Sequence, residues 1–273
     1  MAGGVSQMRF WAMNGLVGYD GRVTSREQFD RQAAHYDAQW AHWNESSLRW
    51  MVERAGAAAH HRVLDVATGA GFTAAGFAPL VHEVVGIDVS PGMLAQARAQ
   101  GLPNARFEEG SAEAMPFPAD AFDLVTCRIA PHHFASVPGF LREAHRVLKP
   151  GGRLLVADTT VPDGAPEIAA WQHEVEVLRD PSHVRNHTPS AWRTFLEQAE
   201  FSVSEIGVQQ SAVRVGLGDW LTKAGCHGEA AARVRELVAI APAGARAAFA
   251  IAEQDGDYAF AWQRVVMAAR KAD

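Results

Sequence analysis

The stretch from Arg62 to Asp88, RVLDVATGAGFTAAGFAPLVHEVVGID, decides how the rest of this chain is organised. It opens with a short apolar run, Val63–Val66, that predicts a buried strand. A glycine-rich turn, a helical segment over Thr73–Leu80 and a second apolar run that ends in Asp88 follow. The order strand, glycine turn, helix, strand and acid is typical of a nucleotide-binding βαβ unit, in which the acid accepts hydrogen bonds from ribose hydroxyls.

The glycine turn leaves two kinds of nucleotide open. The spacing Gly69-x-Gly71-x-x-Ala74 satisfies the dinucleotide fingerprint, which would indicate an NAD-dependent oxidoreductase. Asp65 argues against that interpretation, because its carboxylate precedes the turn and would repel a pyrophosphate but suit the ammonium of a methionine moiety. The charge therefore favours S-adenosylmethionine, although Asp65 could instead only cap the turn.

Five motifs occur in a fixed order along the chain: LDVATGAG, GIDVSPGML, GSAEAMPFPADAFDLVTCR, HHF and REAHRVLKPGGRLLVAD. Together they resemble the class I S-adenosylmethionine-dependent methyltransferases, and in particular the UbiE-like small-molecule branch of that family. The resemblance runs from about Phe29 to Asp158 and continues more thinly through RDPSHVRNHTPSAW, which is similar to one bacterial subgroup. It implies S-adenosyl-L-methionine as cofactor and methyl transfer as activity.

The predicted fold class is α/β. The resemblance implies a Rossmann-like, seven-stranded, mostly parallel sheet with helices on both faces, the last strand antiparallel and beside the fifth, plus a helical cap. We expect residues 1–25 to form an N-terminal arm, either flexible or ordered by a partner subunit in a homodimer. Residues 26–273 should form a single domain, with a substrate-cap insertion at about 162–188 and C-terminal helices at about 218–255.

Hydrophobic periodicity and turn residues predict the elements beyond the glycine turn. The predicted strands lie at Ala105–Glu109, Phe122–Cys127, Arg153–Ala157, Phe201–Val208 and Phe260–Ala268. The predicted helices lie at Glu27–Tyr36, Val137–Val147, Pro166–Leu178, Pro189–Ala199, Gly218–Gly225 and Glu229–Gln254.

Composition narrows the class of protein further. The 273 residues are 48% hydrophobic and 21% charged, as in an ordinary globular protein. A formal net charge of −6 and the lack of a Lys/Arg run argue against a nucleic-acid binder. Cys127 and Cys226 are the two cysteines, which argues against a disulfide framework and fits a reducing cytoplasm. Since no segment approaches the roughly 20 apolar residues of a membrane helix, we expect a cytoplasmic protein. The resemblance implies a small-molecule substrate.

The resemblance places the cofactor against the glycine turn and the ends of the neighbouring strands. The residues assigned to cofactor binding are Tyr36, Asp65, Ala67, Thr68, Gly69, Gly71, Asp88, Val89, Met93, Ser111, Ala112, Glu113 and Arg128. Ser111 departs from the family, which carries an acidic residue there for the adenine amino group. A hydroxyl or a backbone carbonyl could still accept that hydrogen bond.

Three of these residues have structural alternatives. Tyr36 resembles the tyrosine of the family's N-terminal lid, but it and Phe29 could simply belong to the core. Met93 could lie against adenine or fill the core. Arg128 follows the fourth strand, where it could pair with a carboxylate of the protein or reach an anionic group of the substrate.

His132 and Asp158 are the predicted catalytic pair. Methyl transfer disperses charge, so alignment in a dry pocket should supply most of the acceleration, but a hydroxyl or acidic carbon must also lose a proton to a base. His132 follows the fourth strand and Asp158 ends the fifth, so both should meet at one edge of the sheet. Family members that methylate hydroxyls use the first histidine of such a pair as base, and His132 matches that position.

Several alternatives to this chemistry remain open at this point. His132 could be structural, and we expect its neighbour His133 to pack into the protein. His173, His183 and His187 are weaker candidates for the base, and no ligand spacing predicts a metal. The expected activity is O- or C-methylation of a small acceptor. The alternatives are a methyltransferase-like cyclase that binds the cofactor without transferring its methyl and, more weakly, the NAD-dependent oxidoreductase.

Overall fold

The computed structural model describes residues 23–35 and 38–272. Within these ranges the α-helices are α1 (Ser25–Gln32), α2 (Ala38–Trp43), α3 (Glu45–Ala55), α4 (Phe72–Phe77), α5 (Pro91–Ala99), α6 (Val137–Val147), α7 (Pro166–Arg179), α8 (Pro189–Gln198), α9 (Leu217–Lys223), α10 (Gly228–Ala239) and α11 (Ala243–Ala248). The strands are β1 (Arg62–Val66), β2 (Glu83–Asp88), β3 (Ala105–Glu109), β4 (Phe122–Arg128), β5 (Leu148–Thr159), β6 (Phe201–Gln210), β7 (Val215–Gly216), β8 (Ala252–Gln254), β9 (Asp257–Phe260) and β10 (Gln263–Lys271).

Seven strands form the main sheet, in the order β3-β2-β1-β4-β5-β10-β6. The pairs among β1 to β5 are parallel, whereas β10 runs antiparallel between β5 and β6. This confirms the predicted fold, including the antiparallel last strand beside the fifth. Since chain order reverses between β1 and β4, the carboxyl ends of these strands flank the crevice where open α/β sheets bind ligands.

Alternating side chains of the strands supply the two faces of the sheet. Leu64 and Val66 pack with α6 and α8 on one face, whereas Val63 packs with α3, α4 and α5 on the other. Because a parallel sheet covered on both sides buries most side chains of its central strands, the middle of β1 and β4 is mainly apolar. Asp65, Thr126 and Arg128 are the polar residues toward the carboxyl ends of these strands, which makes them candidate site residues.

A separate apolar cluster covers one end of the sheet. It joins Trp43 of α2, Trp171 of α7 and Trp220 of α9 to residues of α10 and α11. The short sheet β7-β9-β8 contributes to the same cluster. We call this part, residues 161–188 and 211–262, the cap.

The cap is also where the sequence-based boundaries are wrong. The single helix predicted over Glu229–Gln254 is two helices and a strand, because Pro242 lacks an N–H and stands at the start of α11. The predicted strand Phe260–Ala268 is divided as well: Phe260 ends β9, which pairs with β7, and β10 begins only at Gln263.

Two further expectations concern the chain as a whole. Residues 1–22 of the expected arm lie outside the described residues, so the homodimer stays a prediction. Across the helices that the structure describes, none combines the length and the apolar character needed to cross a bilayer. Cys127 and Cys226 are both buried free thiols.

Candidate functional site

A cavity of about 290 Å³ opens at the carboxyl ends of β1, β2 and β4. The predicted cofactor residues that line it are Ala67, Thr68, Gly69, Asp88, Val89, Met93, Ser111, Ala112, Glu113 and Arg128. The structure thus brings together ten of the thirteen residues that the sequence assigned to the cofactor, and Tyr36 lies outside the described residues. We call this space the cofactor cavity.

Asp88 is anchored by backbone donors at the end of β2. Its Oδ2 accepts a hydrogen bond from Gly69 N and its Oδ1 accepts one from Ser90 N, both at 2.9 Å. Burial raises the pKa of Asp88, while these backbone N–H groups oppose the shift. A carboxylate offers about four acceptor positions, so capacity remains for hydroxyls of a ligand in the cavity. This donor and acceptor set fits a ribose.

Asp65 is not among the residues that line the cofactor cavity, so its contact with a ligand stays a prediction. The carboxylate is 1% exposed, and its two oxygens accept hydrogen bonds from Thr68 Oγ1 at 2.6 Å and Thr126 Oγ1 at 2.7 Å. Burial raises its pKa to about 6, against those hydrogen bonds and the charge of Arg128. Thr68, whose hydroxyl donates to Asp65, does line the cavity and connects this carboxylate to it.

Gly71 does not line the cavity either. It precedes α4 with φ 83°, and a Cβ there would lie 3.1 Å from Cβ of Ala97. The absence of a side chain lets the turn approach α5 closely, so Gly71 shapes the cavity wall without forming it.

The side of the cavity away from Asp65 is formed by the loop after β3. Ser111 Oγ accepts a hydrogen bond from Glu113 N at 3.2 Å, and Glu113 Oε1 accepts one from Ser136 N at 2.6 Å. Met93 lies almost fully buried on α5 and lines the same cavity. These contacts fix the loop and leave the Ser111 hydroxyl and backbone groups as candidate partners for an adenine edge.

Arg128 ends β4 and lines the opposite wall. Its Nε donates to Thr73 Oγ1 at 2.9 Å and its Nη1 donates to Asn44 O at 3.2 Å. The guanidinium is thereby held at the cavity wall near the buried Asp65. Both alternatives raised for Arg128, a structural role and attraction of an anionic group, are compatible with this position.

Helix α1 closes the cavity from above. Thr24 and Glu27 form a capping box at its N-terminus. Asp30 Oδ1 accepts hydrogen bonds from Ser90 Oγ at 2.6 Å and Gly92 N at 2.9 Å, which fastens α1 to the start of α5. Phe29 lines the cavity, so in this arrangement it is a wall residue rather than part of the core.

A second, smaller cavity of about 60 Å³ lies between the sheet edge and the cap. Four residues line both cavities: Phe29, Asn44, Ile129 and His133. The others around the smaller one include Trp43, His132, Glu176, Arg179, Asp180, Trp220, Trp262 and Arg264. We call it the acceptor cavity. The two cavities are therefore adjacent, with these four residues between them.

His132 and Asp158 form the pair that strand order predicted. His132 Nδ1 lies 2.6 Å from Asp158 Oδ1, with Asp158 1% exposed and the histidine 8% exposed. The main chain is fixed too, because His132 O accepts hydrogen bonds from Val184 N and Arg185 N of the cap. Burial alone would lower the pKa of His132, but the charge and hydrogen bond of Asp158 raise it above its usual value of 6.5. The cap carboxylates Glu176 and Asp180 add to that rise.

The other histidines of this region differ in their position relative to the two cavities. His133 does not simply pack inside, since it lines both cavities while its Nδ1 lies 3.0 Å from Ser182 Oγ. His173, His183 and His187 line neither cavity. Burial lowers the pKa of His183, whose ring nitrogens have no hydrogen-bond partner among the described residues. Over those same residues no group of three or more His, Cys, Asp or Glu is placed to hold a metal ion.

Most residues of the acceptor cavity are not predicted by the sequence. Trp43 is buried as a packing residue would be, but it also forms part of the cavity wall. Neither Trp262 nor Arg264 belongs to any motif of the sequence. The available signal for Arg264 is a charge directly before the apolar run Val265–Ala269 of β10, at a position where the structure buries it.

Comparison with known proteins identifies the family. A family model described as "Methyltransferase domain" matches residues 64–156. The uncharacterized methyltransferase YcgJ of Bacillus subtilis is 36% identical over 210 residues, which are 74% of this chain and 81% of YcgJ. The crystal structure of YcgJ superposes with a TM-score of 0.78 at 33% identity, covering 84% of this chain and 99% of the other.

More distant similarity points to the same branch. A demethylmenaquinone methyltransferase of Chlorobaculum parvum is 33% identical over 156 residues, 54% of this chain and 64% of that protein. The chain belongs to the class I methyltransferases, in their UbiE-like branch. It is an S-adenosylmethionine-dependent methyltransferase, and the NAD-dependent alternative suggested by the glycine spacing is wrong.

Proposed function

We propose that this methyltransferase acts on an oxygen or a carbon of a small-molecule acceptor, with His132 as general base and Asp158 as the group that orients it. The observation that carries the proposal is the 2.6 Å contact between His132 Nδ1 and Asp158 Oδ1. The histidine lines a cavity that shares a wall with the cofactor cavity. A base in that position is close to the place where cofactor and acceptor would meet.

The cofactor cavity offers a partner for each part of S-adenosylmethionine. Asp88 would accept hydrogen bonds from the ribose hydroxyls, and the loop at Ser111 would accept one from the adenine amino group. Arg128 would attract the carboxylate of the amino-acid end, because its guanidinium lies at the opposite wall. Asp65 would act on the ammonium through Thr68.

The chemistry of the protein's own residues is a proton transfer. Bound S-adenosylmethionine supplies an electrophilic methyl group and leaves as the neutral thioether. The neutral imidazole keeps a proton on Nδ1, which donates a hydrogen bond to Asp158. Its Nε2 therefore has a lone pair, which takes the proton of the acceptor's hydroxyl or acidic carbon. Asp158 then stabilises the imidazolium that forms. The apolar part of the shared wall, Phe29 and Ile129, keeps water from competing for the methyl group.

His132→Ala tests the base directly. We expect turnover to fall by roughly 100- to 10,000-fold, the usual contribution of a positioned base, while the affinity for S-adenosylhomocysteine stays within about twofold. His145→Ala is the matched control, since this half-buried histidine of α6 lines neither cavity and packs on Phe201. Turnover within a few-fold of wild type in His132→Ala would remove the base from the proposal.

The acceptor for that assay comes from screening hydroxylated and acidic-carbon metabolites with methyl-labelled cofactor. Product mass must increase by one methyl group for each turnover. A product of unchanged mass would instead indicate the cyclase alternative, in which the cofactor only shapes the pocket.

A further inference from the structure

Arg264 is a buried guanidinium at the edge of the acceptor cavity. It lies on β10 opposite Thr159 of β5, one position from Asp158, and is 6% exposed. Its Nη2 donates to Trp43 O at 3.1 Å and to Asn44 Oδ1 at 2.6 Å. Its Nε and Nη1 have no hydrogen-bond partner among the described residues, and no carboxylate of those residues lies within ion-pair distance. A buried charge in this state is costly unless a ligand completes it.

The carboxylates around the cavity already have other partners. Asp158 Oδ1 contacts His132, and Glu176 Oε2 lies 3.8 Å from Arg179 Nη1. Asp180 Oδ1 accepts hydrogen bonds from Ser182 N and Ser182 Oγ. Arg264 is thus the cation of this cavity that forms no ion pair with these acidic side chains, although the charge of Asp158 raises its pKa. Burial accordingly lowers the pKa of Arg264 to about 10, with Arg128 acting in the same direction.

The shape of the space restricts what could complete Arg264. By the measure in which one water needs roughly 10–15 Å³, the cavity of about 60 Å³ has room for several waters, or for a carboxylate with part of a small flat ring. Trp220 and Trp262 provide aromatic walls, with ring centroids 5.5 Å apart. The rest of an acceptor would extend past the shared wall toward the cofactor. Flat aromatic walls favour an acceptor that is itself flat and unsaturated.

We propose that Arg264 binds a carboxylate of the methyl acceptor, so that the substrate class is a flat, unsaturated acid rather than a neutral molecule. A carboxylate oxygen would accept a charge-assisted hydrogen bond from Nε or Nη1, the two guanidinium nitrogens without a partner among the described residues. The acid group thereby fixes the acceptor beside His132. This assignment rests on the proposed function for the word acceptor, but the anion site itself can be tested without turnover.

A trapped water is the alternative occupant. Asp158 Oδ2 also has no hydrogen-bond partner among the described residues, so a water could join it to Arg264. A water-filled site would give no preference for an acid over its neutral amide, whereas an anion site would.

The test compares benzoate with benzamide, which have the same ring and nearly the same shape. The full chain is saturated with S-adenosylhomocysteine, so that benzoate cannot occupy the cofactor cavity, and its melting temperature is followed at constant ionic strength. A ligand that binds only the folded protein raises that temperature. We expect benzoate to protect the wild type at concentrations at least tenfold below those of benzamide.

Three variants assign the effect to Arg264. Arg264→Gln should abolish the preference for benzoate, and Arg264→Lys should keep part of it, because lysine retains the charge but not the positions of the guanidinium donors. Arg270→Gln, on the exposed end of the same strand, should behave as wild type. Equal protection by benzoate and benzamide in the wild type, or full preference in Arg264→Gln, would overturn the proposal. If Arg264→Gln does not fold, full wild-type preference in Arg264→Lys with loss of it in Arg270→Gln would overturn it instead.

The same experiment separates this proposal from the proposed function. Protection by S-adenosylhomocysteine alone is recorded for the wild type and every variant. Its absence in the wild type would count against the cofactor site, in which case the benzoate series is run without it. Its presence, together with no preference for benzoate, would leave the cofactor site standing and overturn the anion site alone.

Discussion

The two cavities of this protein are built from different parts of the chain. The cofactor cavity takes most of its wall from residues 67–135, in which each loop follows a strand of the parallel sheet. The acceptor cavity takes its wall from residues that meet only after the chain has folded, such as Trp43 and Arg264, which are 221 positions apart. Small side chains and backbone groups dominate the first cavity, and tryptophan and paired charges dominate the second.

This difference indicates that cofactor binding and acceptor binding depend on separate parts of the chain. A cofactor common to a whole family can be held by backbone geometry and one acidic side chain, which a short motif encodes. An acceptor that differs between relatives requires side chains that can change without disturbing that motif. Substitution of a cap residue should therefore reduce stability and acceptor binding, whereas substitution of a motif residue should reduce the affinity for the cofactor.

The largest effect is expected from Trp262→Ala in the cap. Its ring lies 4.7 Å from Phe249 and 4.4 Å from Phe260, and the side chain is buried. Truncating a buried tryptophan costs about 3–5 kcal/mol, which should appear in urea unfolding. The folded fraction should still bind S-adenosylhomocysteine within about twofold of wild type. Trp262→Phe should lose less stability. A loss of cofactor affinity as large as that of Asp88→Ala would contradict the separation of acceptor binding from cofactor binding.

Asp88→Ala should have its effect on the cofactor side. Two hydrogen bonds from ribose hydroxyls to a carboxylate are worth about 1.5–3 kcal/mol each, so calorimetry should show affinity for S-adenosylhomocysteine falling by at least about 100-fold. Glu109→Ala is the control, because Glu109 pairs with Asp88 in the sheet register but is exposed. Unchanged affinity in Asp88→Ala would remove this residue from the site.

The pH dependence of kcat/KM tests His132, whose pKa depends on carboxylates of both the sheet and the cap. Burial lowers the pKa of His132, but Asp158 and the cap carboxylate Glu176 raise it above 6.5 overall. A base must be neutral, so kcat/KM should rise about tenfold per pH unit below that pKa and level off above it, with its midpoint above pH 6.5. Asp158→Asn should move the midpoint down. A midpoint below 6.5 in the wild type would contradict the role of the pair.

The same raised pKa has the opposite consequence for stability. His132 binds its proton more tightly in the folded than in the unfolded protein. Its contribution to stability is therefore fully present below about pH 6.5 and is lost as pH rises through the folded-state pKa. Rising activity together with a falling free energy of unfolding, measured over one pH series, would separate catalysis from any acid denaturation.

The smallest effect is expected at the glycine turn. Gly71→Ala would force a side chain into φ 83° and against Ala97, which should cost about 2–3 kcal/mol of stability. Gly101→Ala is matched to it, because Gly101 also has positive φ but a Cβ added there would meet no atom within 4 Å, and it should cost about 1–2 kcal/mol. Equal losses in denaturant melts would show that close packing at Gly71 is unimportant.

The sequence predicts the parts of the molecule whose causes are local. The strands β1 to β5 and the helix Val137–Val147 follow from apolar runs and turn residues, and strand order then brings His132 to Asp158. The three-stranded sheet and the break at Pro242 are not predicted, although a proline within a helical pattern is itself a stop signal. The acceptor cavity could not be predicted, since periodicity does not show which distant tryptophans meet.

Local sequence also does not show how burial changes a residue's part in the site. The place of Asp65 before the turn predicts contact with the cofactor. The structure buries it, and Thr68 and Thr126 each donate a hydrogen bond to one of its oxygens. A motif fixes the position of a side chain along the chain, but only packing decides which side of the cavity wall it occupies.

The division between the two cavities is tested most directly by a crystal structure of the protein with S-adenosylhomocysteine. The ribose hydroxyls should lie within hydrogen-bond distance of Asp88, and the sulfur should be directed at the residues that line both cavities, Phe29, Asn44, Ile129 and His133. The acceptor cavity beside His132 should remain open. A ligand that fills the acceptor cavity, or that leaves Asp88 without a contact, would contradict it.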